Sequence, residues 1–136
     1  MFAHREDNRT VPDLANLFQS YDFGALVDEI ASADPPAFLH RCFAEGLAEP
    51  HLTHTHVQEL AGCALVLDAL LHGREYPALE PELIADWRVH YAKSWAPLAA
   101  PAVAALHRAV EQDPSLSAEA AAELRELQSS LAAEPR

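Results

Sequence analysis

The alternation of apolar and polar positions changes character once along this chain, between Thr55 and Gly73. Elsewhere apolar residues recur every three or four positions, as on one face of a helix. From Val57 to Leu71 nearly every residue is apolar, on all sides of the helix that the spacing predicts. Thr55 followed by Gln58 reads as a capping box, and Gly73 as a helix stop. A helix apolar around its whole circumference must be enclosed by others.

The flanking pattern supplies those neighbours. Pro12 opens a short helix carrying Leu14, Leu17 and Phe18. Asp22 caps a second helix with Phe23, Leu26, Val27 and Ile30 in register. Asp34-Pro35-Pro36 restarts the chain into a helix burying Phe38, Leu39, Cys42 and Phe43, which Gly46 and Pro50 end. After a connector over 74–80, Pro81 opens a helix with Leu83, Ile84, Trp87 and Tyr91 on one side. The chain bends over Ser94 to Pro97. A helix then runs to Gln112 with a stripe of Leu98, Ala102, Leu106 and Val110. Asp113-Pro114 breaks it. Ser117 caps a last helix whose Ala120, Leu124, Leu127 and Leu131 face inward, while Glu123, Arg125, Glu126 and Gln128 face water.

The pattern therefore predicts an all-α, single-domain bundle of about five to seven helices over residues 1–136, with residues 1–10 loose. Composition agrees. There are 27 Ala and 19 Leu against two Ile and three Thr, which favours helix over strand. At 136 residues the chain can bury a genuine core without a disulfide or a metal.

Charge narrows the classes of partner. The formal net charge is −12 and Lys93 is the only lysine, which disfavours phosphate backbones and anionic lipid. No nucleic acid or membrane partner is expected, and a basic protein partner is. Cys42 and Cys63 sit inside apolar helical patterns and read as buried thiols. The N-terminus lacks the apolar stretch of a signal peptide, and the run Leu60 to Leu67 is too short to span a bilayer, so a cytoplasmic location is the default expectation.

Three constellations could carry chemistry. His51, His54 and His56 place three imidazoles at a helix entrance, with Cys63 two turns further on, a set able to ligate zinc or another transition metal. The competing reading is a solvated loop with threonine caps. Asp68 precedes His72 and Asp86 precedes His90, each one helical turn apart, so four groups converge for metal or acid–base work if the two helices pack together. The competing reading is two surface pairs at helix ends. Trp87, Tyr91 and Trp95 stand at i, i+4 and i+8 and form either core or a small-molecule-binding face. No Gly-rich phosphate loop, serine elbow, Cys-x-x-Cys or basic recognition helix is present, which leans away from an enzyme.

From Val57 to Leu116 the chain resembles the domain-of-unknown-function family 4259, small bacterial helical proteins. The resemblance is carried by the Ala-rich buried helix running into Leu70-Leu71-His72-Gly73-Arg74, the Leu-rich approach to Trp87, and the Ala-rich helix that follows. Asp22-Phe23-Gly24-Ala25-Leu26-Val27-Asp28 is similar to that family's early segment. The resemblance implies a helical fold and no particular activity or site. Together these features favour a non-enzymatic binding protein of immunity or accessory type without a cofactor. The alternatives are a metal-binding bundle using the histidine cluster and a small-molecule pocket near Trp87 and Tyr91.

Overall fold

The computed structural model describes residues 14–19 and 21–133. Among the described residues there are six α-helices: α1 (Phe23–Ser32), α2 (Pro35–Ala48), α3 (His54–His72), α4 (Pro81–His90), α5 (Ala99–Gln112) and α6 (Ala118–Ala132). A short 3-10 turn, Ala96–Leu98, leads into α5. There is no strand among the described residues, and no helix long and apolar enough to cross a membrane. Pro12 and residues 1–10 lie outside the described part; Leu14 to Gln19 form a turn rather than a helix.

The central helix is α3. Every residue from Leu60 to Leu71 is buried, and α3 packs against each of the other five helices. Close approach is permitted by small residues. A Cβ on Gly62 would stand 2.4 Å from Leu26 Cδ2 of α1, and one on Gly46 of α2 would stand 2.8 Å from Leu60 Cδ1. Around this rod α5 packs on α2 and α6, with Ala102, Ala105, Leu106 and Ala109 fully buried. Burial of leucines and aromatics of this size is worth about 1.5–3 kcal/mol each, the main term holding the bundle together.

The helix ends follow local chemistry. Side chains of Asp22, Asp34 and Ser117 accept from backbone N–H groups in the first turns of α1, α2 and α6. Gly73 closes α3 in the left-handed region at φ 66°, which glycine adopts without steric cost.

Several boundaries differ from the sequence reading. The cap of α3 is Thr53, whose hydroxyl accepts from His56 N at 3.2 Å; Thr55 lies inside the first turn. The partner expected for a Thr55 box, Gln58, is buried and donates to Leu17 O at 2.9 Å, satisfying a carbonyl of the N-terminal turn instead. Helix α2 runs through Gly46 to Ala48, because glycine there opens space for Leu60. Arg108 of α5 then donates to Gly46 O and Glu49 O, tying off the end of α2. Glu123 does not face only water: it accepts from Leu17 N at 3.1 Å and from the Asn16 side chain at 3.0 Å. Phe38 is half-buried beneath Arg41, whose guanidinium lies 5.2 Å from its ring centre.

Candidate functional site

On α2, Cys42, Glu45 and Gly46 fall at i, i+3 and i+4 and so share one helical face, and Glu49 follows as the residue that caps the helix. On α3, His56, Glu59 and Leu60 repeat the same spacing, and Cys63 continues it. The two faces meet. Between them lies a hollow of about 270 Å³ lined by Cys42, Glu45, Gly46, Glu49, His56, Glu59, Leu60 and the connector residue Leu52. Its floor is apolar, since Leu52, Leu60 and Cys42 are buried. Its rim carries three carboxylates.

The electrostatics of this face show in neighbouring groups. Burial raises the Glu59 carboxyl above its ordinary value, and Glu29 and Glu45 raise it further, against the pull of His56 and Arg41. The Tyr21 phenol is raised by burial and then by Glu59. The Cys63 thiol is raised by a hydrogen bond with Cys42, by burial and by Glu59 and Glu29. Both thiols are free and buried. An apolar floor under a ring of acceptors suits a cationic head on an aliphatic stem.

The histidine cluster divides. His51 is exposed in the connector. His54 Nδ1 lies 2.8 Å from Asp113 Oδ2, on the side of α5. His56 lines the hollow with Cys42, and Cys63 lies behind it. Among the described residues no three His, Cys, Asp or Glu side chains stand as a group able to hold a metal ion.

His54, Asp113 and Ser115 form a Ser/His/Asp constellation, but not a relay. Asp113 Oδ2 and Ser115 Oγ both meet the same ring nitrogen, Nδ1, at 2.8 and 3.1 Å. A catalytic relay needs acid and nucleophile on opposite nitrogens. Ser115 instead donates its hydroxyl and backbone N–H to Asp113 Oδ1, a turn that follows α5. Burial would raise the Asp113 carboxyl, but hydrogen bonds from Ser115 and His54 outweigh it and hold it below its ordinary value.

The two Asp/His pairs do not converge. Asp86 and His90 are exposed on α4. Asp68 is fully buried and gathers four partners. Oδ1 meets His72 Nδ1 at 2.8 Å and accepts from Ser130 Oγ at 2.7 Å. Oδ2 accepts from Tyr76 OH and lies 3.3 Å from Arg74 Nε. This knot joins α3, the connector after it and α6.

The aromatic stripe is interrupted because α4 stops at His90. Trp87 and Trp95 are both core, and Trp95 Nε1 donates to Trp87 O at 3.2 Å, the partner a buried indole requires. Tyr91 caps α4, half-buried, with its ring 5.9 Å from that of Trp95. It also lines a shallow hollow with Asp34 and His40.

The sequence reading did not single out Glu45, Glu49 and Glu59. Their i, i+3/i+4 spacing beside cysteine is visible in the chain, but which two faces oppose each other is not. No protein-family model matches this chain, and no curated protein or solved structure does so either.

Proposed function

We propose that the protein is a non-enzymatic binding protein of immunity or accessory type, and that it docks a basic protein partner on the α2–α3 face. The observation that carries this reading is the hollow in which Glu45, Glu49 and Glu59 surround an apolar floor. The stem of a partner's arginine or lysine covers Leu52 and Leu60, and its charged head meets the carboxylates. The formal charge of −12 steers a basic partner toward the protein over longer range.

The test is a paired capture from the native host with the wild-type chain and with a Glu45→Gln/Glu49→Gln/Glu59→Gln variant, at low and high salt. A basic protein retained by the wild type at low salt, released by high salt and absent from the variant supports the reading. Capture of the same proteins by both chains, or of none by the wild type, defeats it.

A further inference from the structure

The far end of α3 carries a different hollow, of about 180 Å³, between the connector after Gly73 and the first turns of α4. Its lining is divided in two. Leu79, Pro81 and Ile84 give it an apolar wall, and Leu79 and Ile84 are core residues. The guanidinium-bearing residues Arg74 and Arg88 face that wall, with Glu75 also on the lining.

The two arginines are placed by different means. Arg74 forms an ion pair along one edge: its Nε lies 3.3 Å from Oδ2 of the fully buried Asp68 without a hydrogen bond between them, and the side chain is 27% exposed. Asp68 is itself fixed by Tyr76, Ser130 and His72, so the guanidinium is held by a rigid anchor. Arg88 comes from α4 and lies over Gly73. A Cβ there would stand 2.7 Å from Arg88 Nη1, the mobile tip of that side chain, so it is the φ of 66° rather than this contact that calls for glycine. Among the described residues Arg88 forms no ion pair, and Glu75 pairs with neither arginine. Arg41, Lys93 and Arg125 likewise form no ion pair among the described residues, so what sets Arg88 apart is that it shares the lining of one hollow with Arg74.

We propose that this hollow binds a short aliphatic carboxylate, its carboxylate group between Arg74 and Arg88 and its hydrocarbon tail on Leu79, Pro81 and Ile84. Guanidinium groups present parallel N–H donors that match a carboxylate. An apolar wall with a few convergent polar groups is the common build of a small-molecule site. At about 180 Å³ the hollow is smaller than the sites that take drug-sized ligands and suits an acid of a few carbons. Inorganic phosphate would meet the arginines but leave the apolar wall uncovered. The knot around Asp68 thereby gains a purpose beyond holding helices together: it sets the direction of Arg74.

The experiment is an NMR titration of the full chain with butyrate, following backbone amides and arginine Nε–H signals at constant ionic strength. Inorganic phosphate and butylamine serve as comparison probes. Saturable shifts confined to Gly73 through Ile84 and to Arg74 and Arg88 are expected with butyrate. Arg88→Ala should weaken butyrate at least about tenfold, and Arg88→Lys should recover part of that loss. Arg88 is exposed and unpaired, so both variants should keep the wild-type amide pattern elsewhere. The proposal is overturned by shifts that never saturate, by equal butyrate affinity in Arg88→Ala, or by phosphate or butylamine binding as tightly as butyrate.

Discussion

Tyr76 donates its phenolic hydroxyl to Asp68, a carboxylate with no exposure to solvent, and so fastens the connector after α3 to the helix it has just left. Burial raises the Tyr76 phenol and the Asp68 charge raises it further, which keeps the hydroxyl a donor across the ordinary pH range. A buried carboxylate is stable only while its oxygens are occupied. Tyr76→Phe removes one donor and leaves an acceptor unsatisfied, at a cost of about 1–3 kcal/mol. Urea unfolding of wild type and variant measures it, and equal midpoints would show that the bond contributes nothing net.

Asp113 gives a prediction with a pH signature. Its folded value lies below the ordinary 3.8, despite burial, because Ser115 and His54 donate to the charged form. A depressed carboxyl contributes stability that is fully present above its unfolded value and lost as pH falls through the folded one. Asp113→Asn should therefore destabilise by about 1 kcal/mol at neutral pH, with the gap closing as pH drops below about 4. A constant gap across that range would place the effect in packing rather than charge.

Glu59 behaves with the opposite sign. Its folded value is raised above 4.5, first by burial, so only between the unfolded and folded values does the folded chain bind more protons than the unfolded one. Stability from this group is complete below the ordinary carboxylate range and is lost as pH rises through the raised value. Glu59→Gln, neutral throughout, should be more stable than wild type at pH 7, by under ~1 kcal/mol for a half-exposed group, and equal to it in acid. The same substitution should weaken capture of a basic partner. Greater stability together with weaker binding marks a residue held for recognition, whereas a loss of stability at neutral pH would contradict the sign.

Gly62 tests the packing of the central helix. A methyl group there collides with Leu26 Cδ2 at 2.4 Å and approaches Phe23 at 3.3 Å. Alanine gains about 1 kcal/mol of helix propensity, while overpacking costs typically 1–3 kcal/mol. Gly62→Ala should be net destabilising, and the companion Leu26→Ala should relieve the clash, which a double-mutant cycle reads as coupling.

The chain by itself determined that this is a helical bundle built around α3. The apolar circumference from Leu60 to Leu71 can be buried only by neighbours on every side, and Asp22, Asp34, Ser117 and Gly73 mark helix ends through bonds that form within a few residues. Those signals are local, so they are legible in one dimension. Tertiary structure decided the rest. Asp68 and His72 share a helix face that the spacing shows, but Tyr76, Arg74 and Ser130 join them only because the connector folds back and α6 packs alongside. Trp95 leaves the stripe of Trp87 because α4 ends one turn before the spacing implies. The acidic hollow exists because Gly46 lets α2 settle against Leu60, which brings Glu45 and Glu49 opposite Glu59. Periodicity fixes which residues share a face, whereas the pairing of faces depends on how volumes fit across the whole core.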